Sequence, residues 1–129
     1  MALLIEPSVD VAAQVTAEVI SSYGARRERV QQMSLADLVA GAVTVNLSAV
    51  TSVVAGDMRR VEIITDDHHD LEQLASATWV LAGRGWDVTV LIPCNRVGDA
   101  HTSLRSAPCQ LQPWWFDEHG VWFGAPETP

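Results

Sequence analysis

One stretch of the chain constrains the fold more than any other. It begins with RRVEII at 59–64, an apolar and β-branched run that predicts a strand, and it ends with WDVTVLIP at 86–93, which predicts another. Between them, residues 68–82 carry apolar side chains at helical spacing before Gly83. This order predicts a βαβ unit, because two parallel strands need a crossover of about a dozen residues or more.

Further strand and helix patterns lie on either side of this unit. ALLI at 2–5 and VTVNL at 43–47 predict strands, and the apolar spacing over 11–23 predicts a helix. Two segments remain ambiguous. ARRERVQQ at 25–32 suits a loop or a weak edge strand, and SAVTSVVAGD at 48–57 suits a short helix or a strand.

The alternation of strands and helices predicts one α/β domain over residues 1–129. We expect an open, mostly parallel sheet flanked by helices, of the flavodoxin-like, receiver-like or Rossmann-like kind. The stretch LQPWWFDEHGVWFG adds an antiparallel aromatic β-hairpin over 110–124. Residues 125–129 are expected to form a frayed tail.

The composition narrows the classes of partner and chemistry. The formal net charge is −8, and an acidic chain repels nucleic-acid phosphates and anionic lipid, so we expect neither as a partner. All eight basic residues are arginine, which excludes Schiff-base chemistry and a Walker A lysine. The N-terminus lacks a signal-peptide pattern, and no apolar run suits a membrane span. We therefore expect a cytoplasmic protein, and the all-arginine, Ala- and Val-rich composition is typical of a GC-rich bacterial genome.

The two cysteines, Cys94 and Cys109, form no C-x-x-C motif, which argues against a zinc knuckle or a thioredoxin-type site. Whether they pair with each other stays open. Cys94 follows a predicted strand, but a C-x₅-R phosphatase loop would need arginine where Ala100 stands. We therefore expect Cys94 to be a small, semi-buried thiol without a catalytic role.

Five polar side chains follow the strand at 59–64. They are Asp66, Asp67, His68, His69 and Asp70. If the strand leads directly into the helix, they lie at its carboxyl end, where α/β sheets bind ligands, and they could hold a divalent metal.

A structural interpretation needs fewer assumptions. Asp66 or Asp67 caps the helix, and Asp70 complements the helix dipole in the first turn. Adjacent histidines diverge by about 100° on a helix, whereas a helical zinc pair needs the spacing H-x-x-x-H. We favour the capping interpretation, with no cofactor, and keep a metal site as the alternative.

Two short resemblances accompany these residues. Asp67-His68-His69 resembles the signature of the DHH phosphoesterases, but the earlier acidic D-x-D motif of that family is missing here. The strands that end near Glu6, Asn46 and Thr65 are similar to those of a response-regulator receiver domain. A receiver needs an acceptor aspartate and a lysine, and this chain has Asn46 and no lysine, which excludes a phosphorylation-competent receiver.

The predicted hairpin concentrates tryptophan, since three of the five lie within nine residues: Trp114, Trp115 and Trp122. A turn at 117–120 pairs Trp115 with Trp122 on one face and places Trp114 on the other. The hairpin is either core or a contact surface, because tryptophan is enriched in interface hot spots.

The sequence thus predicts a small non-catalytic interaction or regulatory module. Its partner is expected to be a second copy of the chain or another protein, with the contact made by the hairpin at 110–124. The alternative function is a small metal-assisted hydrolase or a ligand-binding protein that uses residues 66–70.

Overall fold

The computed structural model of the chain describes residues 7–23, 28–40, 47–54, 58–65 and 70–129. The α-helices in these ranges are α1 (Pro7–Tyr23), α2 (Leu35–Leu38), α3 (Leu71–Gly83) and α4 (Val97–Ser103), and a 3₁₀ turn at Cys94–Arg96 precedes α4. The strands are β1 (Glu28–Ser34), β2 (Ser48–Val54), β3 (Met58–Ile64), β4 (Asp87–Pro93), β5 (Gln110–Asp117) and β6 (Gly120–Phe123). The strand predicted at 2–5, and all but the last residue of that predicted at 43–47, lie outside the described residues.

The six strands form one mixed sheet in which spatial order follows chain order, β1-β2-β3-β4-β5-β6. The pairs β1–β2, β2–β3 and β5–β6 are antiparallel, and only β3–β4 and β4–β5 are parallel. The prediction of a mostly parallel open α/β sheet is therefore wrong.

The two ambiguous segments explain the error. Both contain strands, since β1 begins in the first segment and β2 lies within the second. Only three residues separate β2 from β3, which is too few for the crossover that parallel neighbours require, so the chain reverses direction. The first half of the sheet is consequently an antiparallel meander.

The βαβ prediction is confirmed for β3, α3 and β4, since β3 and β4 pair in parallel with Ile63 opposite Val90. The α3 face that packs on the sheet is apolar, and Leu74 and Leu81 on it are fully buried. The helix begins one turn later than predicted, because its N-cap is Asp70, whose side chain accepts a hydrogen bond from Glu72 N at 2.8 Å.

Helices cover both faces of the sheet. The larger core packs α3 and α4 against one face, with Val61, Ile63, Val90 and Leu111 among its buried strand residues. The smaller core packs α1 against the opposite face. Period-2 alternation along the strands separates the two cores.

The C-terminal residues continue along the edge of β5 rather than fraying. Glu127 and Leu111 exchange two backbone hydrogen bonds, of 2.7 and 2.8 Å. The Glu127 carboxylate also contacts His101 Nε2 on α4. The tail thus joins the β5 edge to the helical layer. No helix within the described ranges is long and apolar enough to cross a membrane.

Candidate functional site

The aromatic hairpin adopts the predicted register. Trp115 lies opposite Trp122, and Trp114 lies opposite Phe123. Gly120 closes the turn at φ +129°, a backbone conformation that only glycine adopts readily. The prediction of a hairpin with this pairing is therefore confirmed.

Asp117 anchors the hairpin turn. Its Oδ1 accepts hydrogen bonds from His119 N at 2.7 Å and from Trp122 Nε1 at 3.0 Å. These bonds favour the charged carboxylate, the bond from Trp122 most strongly, and they lower the pKa of Asp117 below its usual 3.8. The Trp122 ring is therefore held in a defined position although it lies on the surface.

The hairpin divides its aromatic side chains between core and solvent. Trp114 is only 4% exposed and belongs to the smaller core with Val15 and Val19 of α1. By contrast, Trp115 is 42% exposed and Trp122 is 46% exposed. The structure therefore places two of the three candidate interface tryptophans on the surface and buries the third.

Phe116 joins the exposed pair at the tip of the hairpin. It is 47% exposed, and its ring stacks on Trp114 with centroids 6.4 Å apart and planes inclined by 24°. We call Trp115 and Trp122 the aromatic patch, because they stand side by side on one face of the hairpin, whereas Phe116 stands on the other face with Trp114. Sequence reasoning missed Phe116, because alternation assigned it to the covered face and did not show that α1 leaves the tip uncovered.

A cleft lies at the carboxyl ends of β4 and β5, beside the aromatic patch. It has a volume of about 290 Å³. We call it the β4–β5 cleft, and its lining residues are Pro93, Cys94, Asn95, Trp114, Trp115 and Phe116. The carboxyl edge of parallel strands is where α/β sheets bind ligands. The predicted strand end at Pro93 was the available signal for this site, but nothing in the sequence placed the hairpin beside it.

The polar groups of the β4–β5 cleft are few and uncharged. Cys94 is exposed, which corrects the prediction of a semi-buried thiol, and it is not bonded to Cys109. Cys109 is not among the lining residues, and burial raises the pKa of its thiol to about 11. The indole Nε1 of Trp114 is buried and has no hydrogen-bond partner in the described part of the chain.

Of the predicted metal cluster, residues 66–69 lie outside the described ranges and Asp70 lies within them. Asp70 serves as the N-cap of α3 and lines a second cleft, of about 360 Å³, with Glu72, Arg96 and Asp99 among its neighbours. Across the residues that the structure describes, no three His, Cys, Asp or Glu side chains are grouped to hold a metal ion. A divalent metal at 66–70 stays a prediction.

The buried Glu62 carboxylate lies beside an arginine of the same strand. Its Oε2 lies 3.5 Å from Arg60 Nε, and Arg60 Nη2 donates to Thr89 Oγ1 at 3.3 Å. The Arg60 guanidinium offsets part of the cost of burying the Glu62 carboxylate.

Comparison of the chain with protein-family models, with curated proteins and with solved structures yields no match.

Proposed function

We propose that the protein is a non-catalytic interaction module that associates with a second copy of itself through the aromatic hairpin. The observation that supports this proposal is the aromatic patch, in which two tryptophan rings stand 42% and 46% exposed side by side on one face of the edge hairpin. Asp117 and Gly120 hold the hairpin in one conformation, so little entropy is lost when the patch is covered.

The size of the patch indicates the strength of the contact. A tryptophan side chain has up to roughly 250 Å² to bury, so the two rings of the patch leave roughly 200 Å² exposed. An interface centred on an apolar area of that size falls in the weak, transient class. We therefore expect a dissociation constant in the micromolar range.

The backbone of β6 supports a symmetric contact. Gly124 N donates to Pro113 O at 2.8 Å, and hydrogen-bonded and non-hydrogen-bonded pairs alternate along an antiparallel ladder. This alternation turns the N–H and C=O of Val121 away from β5, toward the outer edge of the sheet. Two copies can pair antiparallel along β6 about a two-fold axis, since each offers the other the same edge and the same rings.

Sedimentation velocity over a wide concentration range tests the proposal, with Trp122→Ser as the principal variant. Trp122 is a candidate hot spot, so we expect its loss to raise the dissociation constant about 30-fold, or by about 2 kcal/mol. Trp79→Ser is the matched control, because Trp79 stands 59% exposed on α3, outside the patch. A monomeric wild type, or equal weakening by both substitutions, would refute self-association through the hairpin.

Salt dependence distinguishes a second copy from a basic partner. Two copies each carry a formal charge of −8 and repel one another, so raising NaCl to about 0.5 M should strengthen their association by screening. A contact driven by opposite charges would weaken under the same change. Association that weakens with salt would therefore contradict an apolar contact between copies.

A further inference from the structure

We propose that two copies of the chain join their sheets along β6 in one register, with Trp122 of one copy directly opposite Trp122 of the other on the two-fold axis. This inference rests on the proposed self-association and specifies its geometry. The register is determined by the backbone groups that β6 leaves unpaired and by the features that close the edge on either side of them.

The hydrogen bonds of the hairpin show which backbone groups of β6 face outward. Gly124 N donates to Pro113 O at 2.8 Å, and hydrogen-bonded pairs alternate with non-hydrogen-bonded pairs along an antiparallel ladder. Counting back from Gly124, Trp122 belongs to the next hydrogen-bonded pair with β5, whereas Val121 and Phe123 do not. The N–H and C=O groups of Val121 and Phe123 therefore point away from β5.

The outer edge is blocked beyond the C-terminal end of β6. Between the bond of Gly124 and the next pair, Leu111 with Glu127, the tail has one residue more than β5. The extra residue makes a bulge, and Pro126 within it has no N–H. A bulge and a proline both protect a sheet edge against pairing, so a partner strand does not continue along the tail.

The hairpin turn blocks the other end of the edge. His119 N donates to Asp117 Oδ1 at 2.7 Å, which removes this N–H from the reach of a partner strand. Gly120 forms the pair with Asp117 that closes the turn. Over the described part of the hairpin and tail, the open edge therefore runs from Val121 to Phe123, with a tryptophan at its centre.

A two-fold axis through Trp122 uses the whole of this open edge. It places Val121 of each copy opposite Phe123 of the other, and each of these pairs exchanges two backbone hydrogen bonds. An axis through Val121 would set Phe123 against His119, and an axis through Phe123 would set Val121 against the tail bulge. Each of those registers keeps only the pair on the axis and makes half as many hydrogen bonds.

The register centred on Trp122 also brings apolar side chains together on both faces. Across the interface the two Trp122 residues form a non-hydrogen-bonded pair, whose Cα atoms lie about 4.5 Å apart, and Trp115 of each copy flanks them. On the other face Val121 meets Phe123 of the second copy, and both pack against the smaller core. Because the contact occupies β6 of both copies, the assembly closes at two.

Cysteine cross-linking identifies the residue on the axis. The variants Val121→Cys, Trp122→Cys and Phe123→Cys are made in a Cys94→Ser, Cys109→Ala background, because both native thiols are free. Each is oxidised mildly and analysed on a non-reducing gel. A disulfide needs Cα atoms about 4.4–6.8 Å apart. We expect Trp122→Cys to form covalent dimers by itself, and Val121→Cys and Phe123→Cys to do so only when they are mixed.

A control and a second measurement accompany the cross-linking. Trp79→Cys places a thiol at a position 59% exposed on α3, and its cross-linking gives the rate that random collisions produce. Because Trp122→Cys removes a ring from the contact, the wild type is also examined as a mixture of ¹³C-labelled and unlabelled copies. We expect an intermolecular nuclear Overhauser effect between the α-protons of the two Trp122 residues.

The outcomes separate this register from self-association itself. If the wild type sediments as a dimer but Val121→Cys or Phe123→Cys cross-links by itself, the axis lies elsewhere and the register is wrong. If Trp122→Cys cross-links no faster than Trp79→Cys and the intermolecular effect is absent, the copies do not pair along β6 at all. Self-association through the hairpin survives both results. A monomeric wild type would remove the register together with the association on which it rests.

Discussion

Among the strands that the structure describes, the two at the ends of the sheet, β1 and β6, differ in the features that prevent edge-to-edge association. On β1 the exposed side chains include Arg29, Gln31 and Gln32, and the register with β2 shifts between Glu28 and Gln31. On β6 the exposed side chain is Trp122, and no bulge interrupts its four pairs with β5. Charge, polar side chains and bulges are the usual protection of a sheet edge. Because β1 has these features and β6 lacks them, β6 is the candidate contact surface.

Each of these strands also contains a residue at positive φ, which is a glycine in β6 and an arginine in β1. Gly120 adopts φ +129° in the hairpin turn, where a glycine meets no steric penalty. Arg29 adopts φ +53° in β1, where its Cβ costs free energy. The hairpin conformation is encoded by its local sequence, whereas the β1 distortion is imposed by its surroundings.

The largest expected effect is that of Gly120→Ala. A Cβ at this position meets no atom within 4 Å, so the cost is backbone strain alone, about 1–3 kcal/mol of the free energy of unfolding. Urea denaturation measures it. Gly98→Ala is the control, since Gly98 is an open helical position, and there alanine should stabilise by about 0.5–1 kcal/mol. Equal effects at the two glycines would show that the turn does not depend on Gly120.

A smaller effect of opposite sign is expected for Arg29→Gly. Glycine removes the steric cost of the left-handed conformation in the folded protein, but it also raises the conformational entropy of the unfolded chain. We expect the first effect to be larger, so the free energy of unfolding should rise by about 0.5 kcal/mol. Gln31→Gly, at a position without positive φ in the same strand, should instead destabilise the protein. If Arg29→Gly is also destabilising in urea denaturation, the distortion of β1 is not a strained feature of this edge.

The smallest effect is the pH dependence of the hairpin anchor. The lowered pKa of Asp117 means that its hydrogen bonds to Trp122 and His119 are fully present above pH 3.8 and are lost as the pH falls through the lowered value. The Trp122 indole N–H resonance should therefore titrate with a midpoint below 3.8. Asp117→Asn removes this titration and retains Glu118, the neighbouring acid in the turn, as a baseline. A midpoint at or above 3.8 would contradict the anchoring role.

The hairpin was predictable because its determinants are local. The turn residues from Asp117 to Gly120 set the register, and the period-2 alternation of side chains then places Trp115 and Trp122 together. The βαβ unit was predictable for a similar reason, since the helical spacing between two apolar runs lies within one continuous stretch. The cap of α3 is Asp70 rather than the predicted Asp66 or Asp67, because neighbouring acids offer the same capping chemistry.

The direction of the strands was not predictable in the same way. The segment 48–54 is rich in valine and serine, and this composition suits a strand or a short helix until a partner is present. Its pairing with both β1 and β3 decides the matter, and the pairs with β1 join residues at least 14 positions apart in the chain. The β4–β5 cleft arises likewise, because Cys94 and Trp115 meet only when β4 and β5 are neighbours.

What the sequence determined by itself is therefore local: the hairpin and its pairing, the amphipathic helices, and the exclusion of lysine chemistry. The tertiary structure decided how the strands order and orient, which tryptophan is core and which is surface, and where a cleft opens. The physical reason is that turn geometry and side-chain periodicity act over a few residues, whereas burial depends on which elements the folded chain brings together.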